Sequence, residues 1–167
     1  ARRMIPLLAP YQMRWLEEPV IPDDIAGYAA LKSMNQIPIA GGEHEFTLYG
    51  FRELLDARAV DYIQFDTNRV GGITQARKIA ALAEAHEVPV IPHAGQMHNF
   101  HIVMSSLNSP MAEFFPIVDV EVGNELFWYI FEGEPTPKNG YIELNESLPG
   151  LGLVVNEAAL NQFEIIE

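Results

Sequence analysis

The chain has no cysteine among its 167 residues, and this absence excludes several kinds of chemistry. Without thiols there can be no disulfide framework, no thiolate metal site and no cysteine nucleophile. Basic residues are scarce as well, since 10 Lys and Arg stand against 23 Asp and Glu, which gives a formal net charge of -13. This balance argues against a nucleic-acid partner, because nucleic-acid phosphates are bound by basic patches.

Long apolar runs are also missing from the sequence. No run approaches the ~18 residues that a membrane-spanning helix needs, and no secretory signal pattern is visible. The 49% hydrophobic and 20% charged residues are instead an ordinary globular composition. We therefore expect a folded cytoplasmic protein that binds neither nucleic acid nor membrane.

Short apolar runs alternate with stretches of helical periodicity. Five runs predict strands, the last of them weakly: residues 13–16, 37–40, 62–65, 88–91 and 111–115. Between them lie apolar stripes with helical spacing, formed by Ile25, Tyr28 and Ala29, by Phe51, Leu54 and Leu55, and by Ala76, Ile79, Ala80 and Ala83. Asp24 and Thr74 are candidate helix N-caps. Such an alternation predicts repeated βα units on a parallel sheet, that is, an α/β fold.

The pattern changes after residue 133. Two segments rich in turn residues follow, at 134–140 and 149–152, with a strand-like alternation over 141–144 between them. Residues 156–163 predict a short final helix. We therefore divide the chain into a βα portion, residues 1–133, and a C-terminal tail, residues 134–167, which is expected to leave the repeat and pack elsewhere.

Ionisable residues follow the predicted strands at or near their C-terminal ends. They are Glu17 (with Glu18 beside it), Glu43, Asp66, His93 and Glu113. In a βα barrel these ends converge on one face, where active sites lie. Each residue alone has an ordinary structural explanation, such as a loop carboxylate, a helix cap or a buried structural histidine. Five in succession predict one shared site. Two interpretations stay open for the nearby His98, Asn99 and His101, pocket-lining residues and solvated helix positions, and we expect the second.

Other familiar sites are not supported. His44-Glu45 begins like a zinc-protease motif, but Leu48 stands where the second histidine would be. Neither Gly41-Gly42 nor Gly71-Gly72 forms a phosphate-binding motif. No lysine lies at a predicted strand end, which disfavours an aldolase-type barrel with a Schiff base.

At these residues the sequence resembles the enolase superfamily and, within it, the mandelate racemase-like subgroup. The resemblance lies in Trp15-Leu16-Glu17-Glu18-Pro19, Gly42-Glu43, Asp66 with Gly71-Gly72-Ile73-Thr74, Pro92-His93 and the tail motif Pro149-Gly150-Leu151-Gly152. More narrowly, residues 42–45 and 109–114 are similar to L-rhamnonate dehydratases and related acid-sugar dehydratases.

The resemblance implies a particular fold. This chain would be the C-terminal part, about strands 4 to 8, of a modified TIM (β/α)7β barrel, with its tail packed against an N-terminal capping domain. A complete barrel takes ~250 residues, so we expect a missing N-terminal part of the same protein. That part would supply the third protein ligand of the metal ion. The subgroup also implies a homo-oligomer.

The resemblance further implies an Mg²⁺-dependent dehydratase of a sugar acid, with an L-rhamnonate-like substrate as the best guess. Glu17 and Glu43 would bind the metal. His93 would be the catalytic base, Asp66 would orient it, and Glu113 would hydrogen-bond the substrate carboxylate. His44 would contact substrate hydroxyls. Two alternatives stay open: a racemase or epimerase of the same superfamily, and a catalytically incomplete barrel fragment.

Overall fold

The computed structural model describes residues 1–115 and 130–161. A short helix and a 3₁₀ turn come first. Three strand–helix pairs then follow, as the sequence predicts, and a further helix comes next without an intervening strand. In chain order the elements are α1 (Ile5–Leu8), the 3₁₀ turn (Ala9–Tyr11), β1 (Leu16–Glu17), α2 (Ile25–Lys32), β2 (Ile39–Gly41), α3 (Leu48–Asp56), β3 (Tyr62–Ile63), α4 (Ile73–Ala85), α5 (Met97–Ser105), β4 (Phe131–Glu132), β5 (Val154–Val155) and α6 (Glu157–Leu160).

The first three strands form a parallel sheet in the order β1-β2-β3. Leu16 is paired with Ile39, and Ala40 is paired with Tyr62. The run at 88–91 continues this sheet through single bridges rather than a full strand, and the bridge between Asp66 and His93 extends it further. The strand ends that carry the predicted site residues are therefore neighbours.

Helices α2, α3 and α4 cover one face of this sheet. The predicted helical stripes are buried there: Tyr28 in α2, Phe51, Leu54 and Leu55 in α3, and Ala76, Ile79, Ala80 and Ala83 in α4. They pack against strand residues such as Ile39 and Ile63, neither of which is exposed to solvent. Burial of this apolar surface, at roughly 25 cal/mol per Å², holds the helices to the sheet.

Helix starts follow the predictions only in part. Asp24 caps α2 as expected, because its side chain accepts a hydrogen bond from the Gly27 N–H. The prediction for Thr74 was wrong. The cap lies two residues earlier, at Gly72, and α4 begins at Ile73. The φ of 87° at Gly72 turns the chain into the helix without a side-chain cap. Glycine adopts this backbone conformation without the strain that a Cβ would cause.

Two further strand predictions were wrong. Residues 111–115 have no strand assignment, and the segment is instead held by a side chain, since Glu113 accepts a hydrogen bond from the Ala94 N–H. In the tail, the strand-like run at 141–144 contributes only the bridge between Tyr141 and Lys138. The antiparallel ribbon of the tail is formed by β4 and β5.

The final helix is shorter than predicted within the described residues. Asn156 caps α6 through its side chain, which accepts a hydrogen bond from the Ala159 N–H. The helix ends at Leu160, and the remainder of the predicted helix, residues 162–163, lies outside the described part. In the ranges 1–115 and 130–161, no helix has the length and apolar character needed to cross a membrane.

Candidate active site

Side-chain alternation along the strands determines which residues can meet. Leu16, Ile39 and Ile63 pack toward the helices. Because successive strand residues point to opposite faces, Glu17 and Gln64 lie on the other face, which we call the inner face. The two side chains meet there, since the Gln64 amide donates to Glu17 Oε2 at 2.9 Å.

The inner face continues into a histidine–aspartate pair. Asp66 lies two residues after Gln64 and is bridged to His93 on the neighbouring segment. His93 Nδ1 lies 3.0 Å from Asp66 Oδ2. With Nδ1–H donating to the carboxylate, Nε2 is left as the proton acceptor of the neutral ring. The sequence predicted both residues, and the structure brings them together.

The pairing of the two side chains favours the protonated form of His93 and the ionised form of Asp66. The hydrogen bond to Asp66 raises the pKa of His93 above its ordinary value despite burial, and the charges of Glu43 and Glu113 add to the effect. Burial alone would raise the pKa of Asp66. Hydrogen bonds from His93 and from the backbone N–H groups of Asn68 and Arg69 outweigh it and hold the pKa below its usual value.

Glu43 approaches the same histidine–aspartate pair from the end of β2. Gly42 has φ 125°, and a Cβ there would lie 2.8 Å from the Phe51 ring, so the turn before Glu43 requires glycine. Glu43 Oε1 lies 3.5 Å from His93 Nε2. Glu43 therefore places a carboxylate next to the proton-accepting atom of His93.

Arg69 is a site residue that the sequence analysis missed. Its guanidinium pairs with Glu43 Oε1 at 3.2 Å and donates to the Glu43 backbone carbonyl at 3.0 Å. Its Nε also lies 3.9 Å from Asp66 Oδ2. One signal was available: Arg69 comes three residues after Asp66, within the loop that leaves the end of a strand. Arg69 links two predicted site carboxylates and balances part of their charge.

Glu17 and Glu18 are placed differently, although they are adjacent in sequence. Glu17 receives the Trp15 indole N–H at 3.1 Å in addition to the Gln64 amide, and both donors are neutral. Glu18 instead pairs with His44, whose Nδ1 lies 2.7 Å from Glu18 Oε2. Glu18 and His44 line a cleft together with Tyr28 of α2. Glu17 thus shares the inner face with the acid–base pair, whereas Glu18 lies toward the helices.

Glu113 is held next to His93 by the backbone. Its Oε2 accepts the Ala94 N–H at 2.7 Å. Gly95 packs close to this segment, because a Cβ on Gly95 would lie 2.5 Å from the Phe114 Cα. Three of the other predicted site residues, Glu43, Asp66 and Glu113, therefore lie around His93 and its loop.

The expectation that His98 and Asn99 are solvated was wrong. His98 is 8% exposed and Asn99 only 1% exposed. Burial lowers the pKa of His98, which favours its neutral form. His101 is half-buried and lies 3.2 Å from the Leu151 carbonyl of the tail. Periodicity could not separate these positions, because α5 buries polar side chains as well as apolar ones.

The donor set at this end of the sheet fits a hard divalent cation. Carboxylate oxygens are the ligands that Mg²⁺ prefers. Glu18, Glu43 and His44 each offer a ligand atom within 4.8 Å of the others. Glu18 Oε1 is buried and has no hydrogen-bond partner among the described residues. An unpaired buried carboxylate oxygen is costly, and a cation bound beside it would offset that cost.

Comparisons with known proteins agree with this architecture. L-rhamnonate dehydratase from Saccharopolyspora erythraea is 41% identical over 160 residues, covering 93% of this chain and 40% of that protein. The crystal structure of L-talarate dehydratase from Polaromonas sp. JS666, complexed with Mg and L-glucarate, is 31% identical with a TM-score of 0.84. The match covers 96% of this chain and 42% of that one.

A second solved structure, L-rhamnonate dehydratase from Gibberella zeae, is 34% identical with a TM-score of 0.81, and the match covers 96% of this chain and 43% of that one. The chain thus spans about two-fifths of the length of the relatives it matches. The model of the family described as "Enolase C-terminal domain-like" matches residues 1–159. Together with the parallel βα architecture, this match confirms the resemblance and the fold class inferred from the sequence, and the chain belongs to the enolase C-terminal domain-like family.

Proposed function

We propose that this chain is the C-terminal portion of an Mg²⁺-dependent sugar-acid dehydratase that acts on an L-rhamnonate-like substrate in the cytoplasm. The observation that carries the proposal is the His93–Asp66 pair beside the Glu43 carboxylate, with Nδ1 to Oδ2 at 3.0 Å and Nε2 to Oε1 at 3.5 Å. The dehydratase names of the relatives support the same reaction class.

Glu17 and Glu43 are the proposed metal ligands, and a segment outside this chain would supply the third. The ligand atoms of Glu18, Glu43 and His44 lie within 4.8 Å of one another, which on proximity alone would favour Glu18. Glu17 is preferred because it lies on the inner face and, among the described residues, accepts hydrogen bonds only from the neutral donors Trp15 and Gln64, whereas Glu18 is already paired with His44. A bound Mg²⁺ would supply positive charge that stabilises the extra negative charge developing on the substrate carboxylate. His44, half-exposed beside this group, is proposed to contact substrate hydroxyls.

His93 is the proposed base. The proton α to the carboxylate moves to His93 Nε2, and the C–H electron pair becomes part of the enediolate. Asp66 holds the ring in the correct tautomer and stabilises the imidazolium that forms. The bond to the 3-hydroxyl then breaks, His93 returns the proton to the leaving oxygen as water forms, and the enol tautomerises to a 2-keto-3-deoxy acid.

Glu113 is proposed to hydrogen-bond the substrate carboxylate as its charge increases. The Ala94 N–H already fixes one of its oxygens, so the side chain is oriented before substrate binds. In the complete protein we also propose that the tail packs against the preceding capping domain and that the molecule is a homo-oligomer.

The test is His93→Asn in the complete protein, with turnover of L-rhamnonate followed as 2-keto acid formed. Because a general acid–base contributes about 10²–10⁴-fold, the variant should lose at least that much activity and still bind Mg²⁺. His86→Asn is the matched control, since His86 lies at the C-terminal end of α4 near Asp56 and away from the site.

Unchanged turnover in His93→Asn would remove His93 from the reaction. A product that retains the 3-hydroxyl would instead replace the proposed dehydration by racemisation or epimerisation.

A further inference from the structure

Asn99 is the most deeply buried polar side chain near the site, with 1% of its surface exposed. It lies in the first turn of α5, one turn beyond the His93 loop. A buried amide without partners would be strongly destabilising, so the identity of its partners is informative.

Among the described residues, the hydrogen-bond partners of the Asn99 side chain all belong to the two loops that carry the acid–base pair. Its Nδ2 donates to the backbone carbonyls of His93 at 2.7 Å and Ala94 at 2.5 Å. Its Oδ1 accepts from the hydroxyl of Thr67, the residue after Asp66, at 2.5 Å. Thr67 is itself 2% exposed, so the bridge is shielded from water.

The bridge extends to Glu113 through an unusual backbone conformation. Ala94 has φ 71°, which lies in the left-handed region that a residue with a Cβ rarely adopts. In this conformation the Ala94 N–H donates to Glu113 Oε2, while the Ala94 carbonyl accepts from Asn99. The Asn99 amide therefore stabilises the strained residue that orients Glu113.

We propose that Asn99 is a positioning residue that holds the loops of Asp66, His93 and Glu113 in one fixed arrangement. In the described structure, the Asn99 side chain makes no hydrogen bond to the side chains of these three residues. It acts through the backbone of His93 and Ala94 and through Thr67. The inference rests on the proposed function, because it assigns Asn99 a part in the same reaction.

Asn99→Asp is the sharpest test, because it keeps the shape of the side chain but removes the amide donor. A carboxylate oxygen, which only accepts hydrogen bonds, then faces the two carbonyl oxygens. Displacement of the His93 loop by about 1 Å should lower kcat on the order of 10²-fold. KM for the sugar acid should change far less, because Glu17, Glu43 and His44 lie at other strand ends. The proposed Glu113 contact strengthens as charge develops on the substrate carboxylate, so its displacement should also act mainly on kcat. Thr67→Val removes only the hydroxyl donor and should lower kcat by a smaller factor.

Asn108 provides a matched control within the same chain. Its Nδ2 also donates to two backbone carbonyls, those of Ala80 at 3.2 Å and Val88 at 3.1 Å, but it contacts neither site loop. Asn108→Asp therefore makes the same chemical change at a structural position. It should lower thermal stability while leaving kcat near that of the wild type.

A spectroscopic measurement separates this inference from the proposed function. The His93 Nδ1–H that bonds Asp66 should give a downfield proton NMR signal, assigned by its loss in His93→Asn. The signal should persist in Asn108→Asp and be lost or shifted in Asn99→Asp, and this measurement needs no turnover. If the wild type makes no 2-keto acid, the proposed function fails while the NMR result still tests the positioning role.

The positioning role would be overturned by a folded Asn99→Asp protein that keeps both the wild-type signal and the wild-type kcat. If Asn99→Asp does not fold, Thr67→Val decides the question. Wild-type kcat and an unshifted signal in that variant would equally overturn the role.

Discussion

At the scale of single residues, the strand places two adjacent glutamates in different surroundings, and this difference separates their proposed roles. The motif Glu17-Glu18 presents two identical carboxylates, and sequence alone does not say which one faces the site. The strand resolves this, because Leu16 packs toward the helices and Glu17 must then lie on the opposite face with Gln64. Glu18 pairs with His44 instead.

This placement gives opposite expectations for two nearly identical substitutions. Glu17→Gln should weaken Mg²⁺ binding by more than the ~10–100-fold typical of losing a group that only orients a ligand. Glu18→Gln should weaken Mg²⁺ binding by less than ~10-fold. The two variants serve as controls for each other. Isothermal titration of the complete protein with Mg²⁺ measures both. A larger loss in Glu18→Gln would transfer the ligand role to Glu18.

The residues that sequence could not predict share one physical property. Asp66 and His93 were predictable because each follows an apolar run at a strand end. Arg69 and Asn99 act through contacts with residues 26 and 32 positions away, at Glu43 and Thr67 respectively. Such partners depend on the three-dimensional arrangement of the loops. Asn99 also lies on a helix whose sequence pattern does not distinguish a buried amide from a solvated one.

At the scale of elements, the predictions that proved correct concern helices with many buried apolar residues. The helical stripes of α2, α3 and α4 were predicted correctly because burial against one sheet face requires a regular repeat. The segment at 111–115 was predicted wrongly as a strand. It is apolar enough for one, but its described hydrogen bond to the His93 loop is made by the Glu113 side chain rather than by backbone groups.

One element boundary depends on a distant part of the chain. Glu134 of the tail accepts the Met97 N–H at 2.7 Å, at the first residue of α5. Burial raises the pKa of Glu134 from 4.5 to about 7, against the smaller opposing effect of this hydrogen bond. Its second oxygen, Oε2, is buried without a partner in the described structure. The tail therefore meets α5 through a carboxyl group that titrates near neutral pH.

Replacing Glu134 by Gln should remove a pH dependence of stability. Because the pKa is raised on folding, the folded state holds the proton more tightly, and this stabilisation is complete below pH 4.5 and lost as the pH rises through about 7. Glu134→Gln keeps an acceptor for the Met97 N–H but does not titrate. Its stability relative to the wild type should therefore increase between these pH values, as measured by urea unfolding.

Glu132→Gln is the control, because it removes an equivalent charge from an exposed position two residues earlier. A wild-type pH profile in Glu134→Gln would show that Glu134 does not titrate in this range.

At the scale of the whole molecule, the described parallel strands form an open three-stranded sheet rather than a closed barrel. Within the described residues, β1 pairs only with β2, so its other edge has no partner strand. Apolar side chains in the segment that precedes β1 are exposed, among them Leu7 at 65% and Tyr11 at 77%. Unpaired edges and exposed apolar groups favour pairing with further chain.

This arrangement predicts how the chain behaves when it is produced alone. The 18.7 kDa chain should self-associate, whereas the complete protein should elute as a discrete homo-oligomer. Size-exclusion chromatography with light scattering measures both. A stable, monodisperse 18.7 kDa monomer would show that the open edge of β1 needs no partner.

The central claim is that side chains from successive strand ends share one pocket and that Glu17 and Glu43 bind the same ion there. The most direct measurement is a crystal structure of the complete protein with Mn²⁺ in place of Mg²⁺, in which anomalous scattering locates the ion. We predict a single strong peak bound by the Glu17 and Glu43 carboxylates on the His93 side of the sheet. A peak bound by Glu18 and His44 on the helix side, or no peak at these strand ends, would contradict the account.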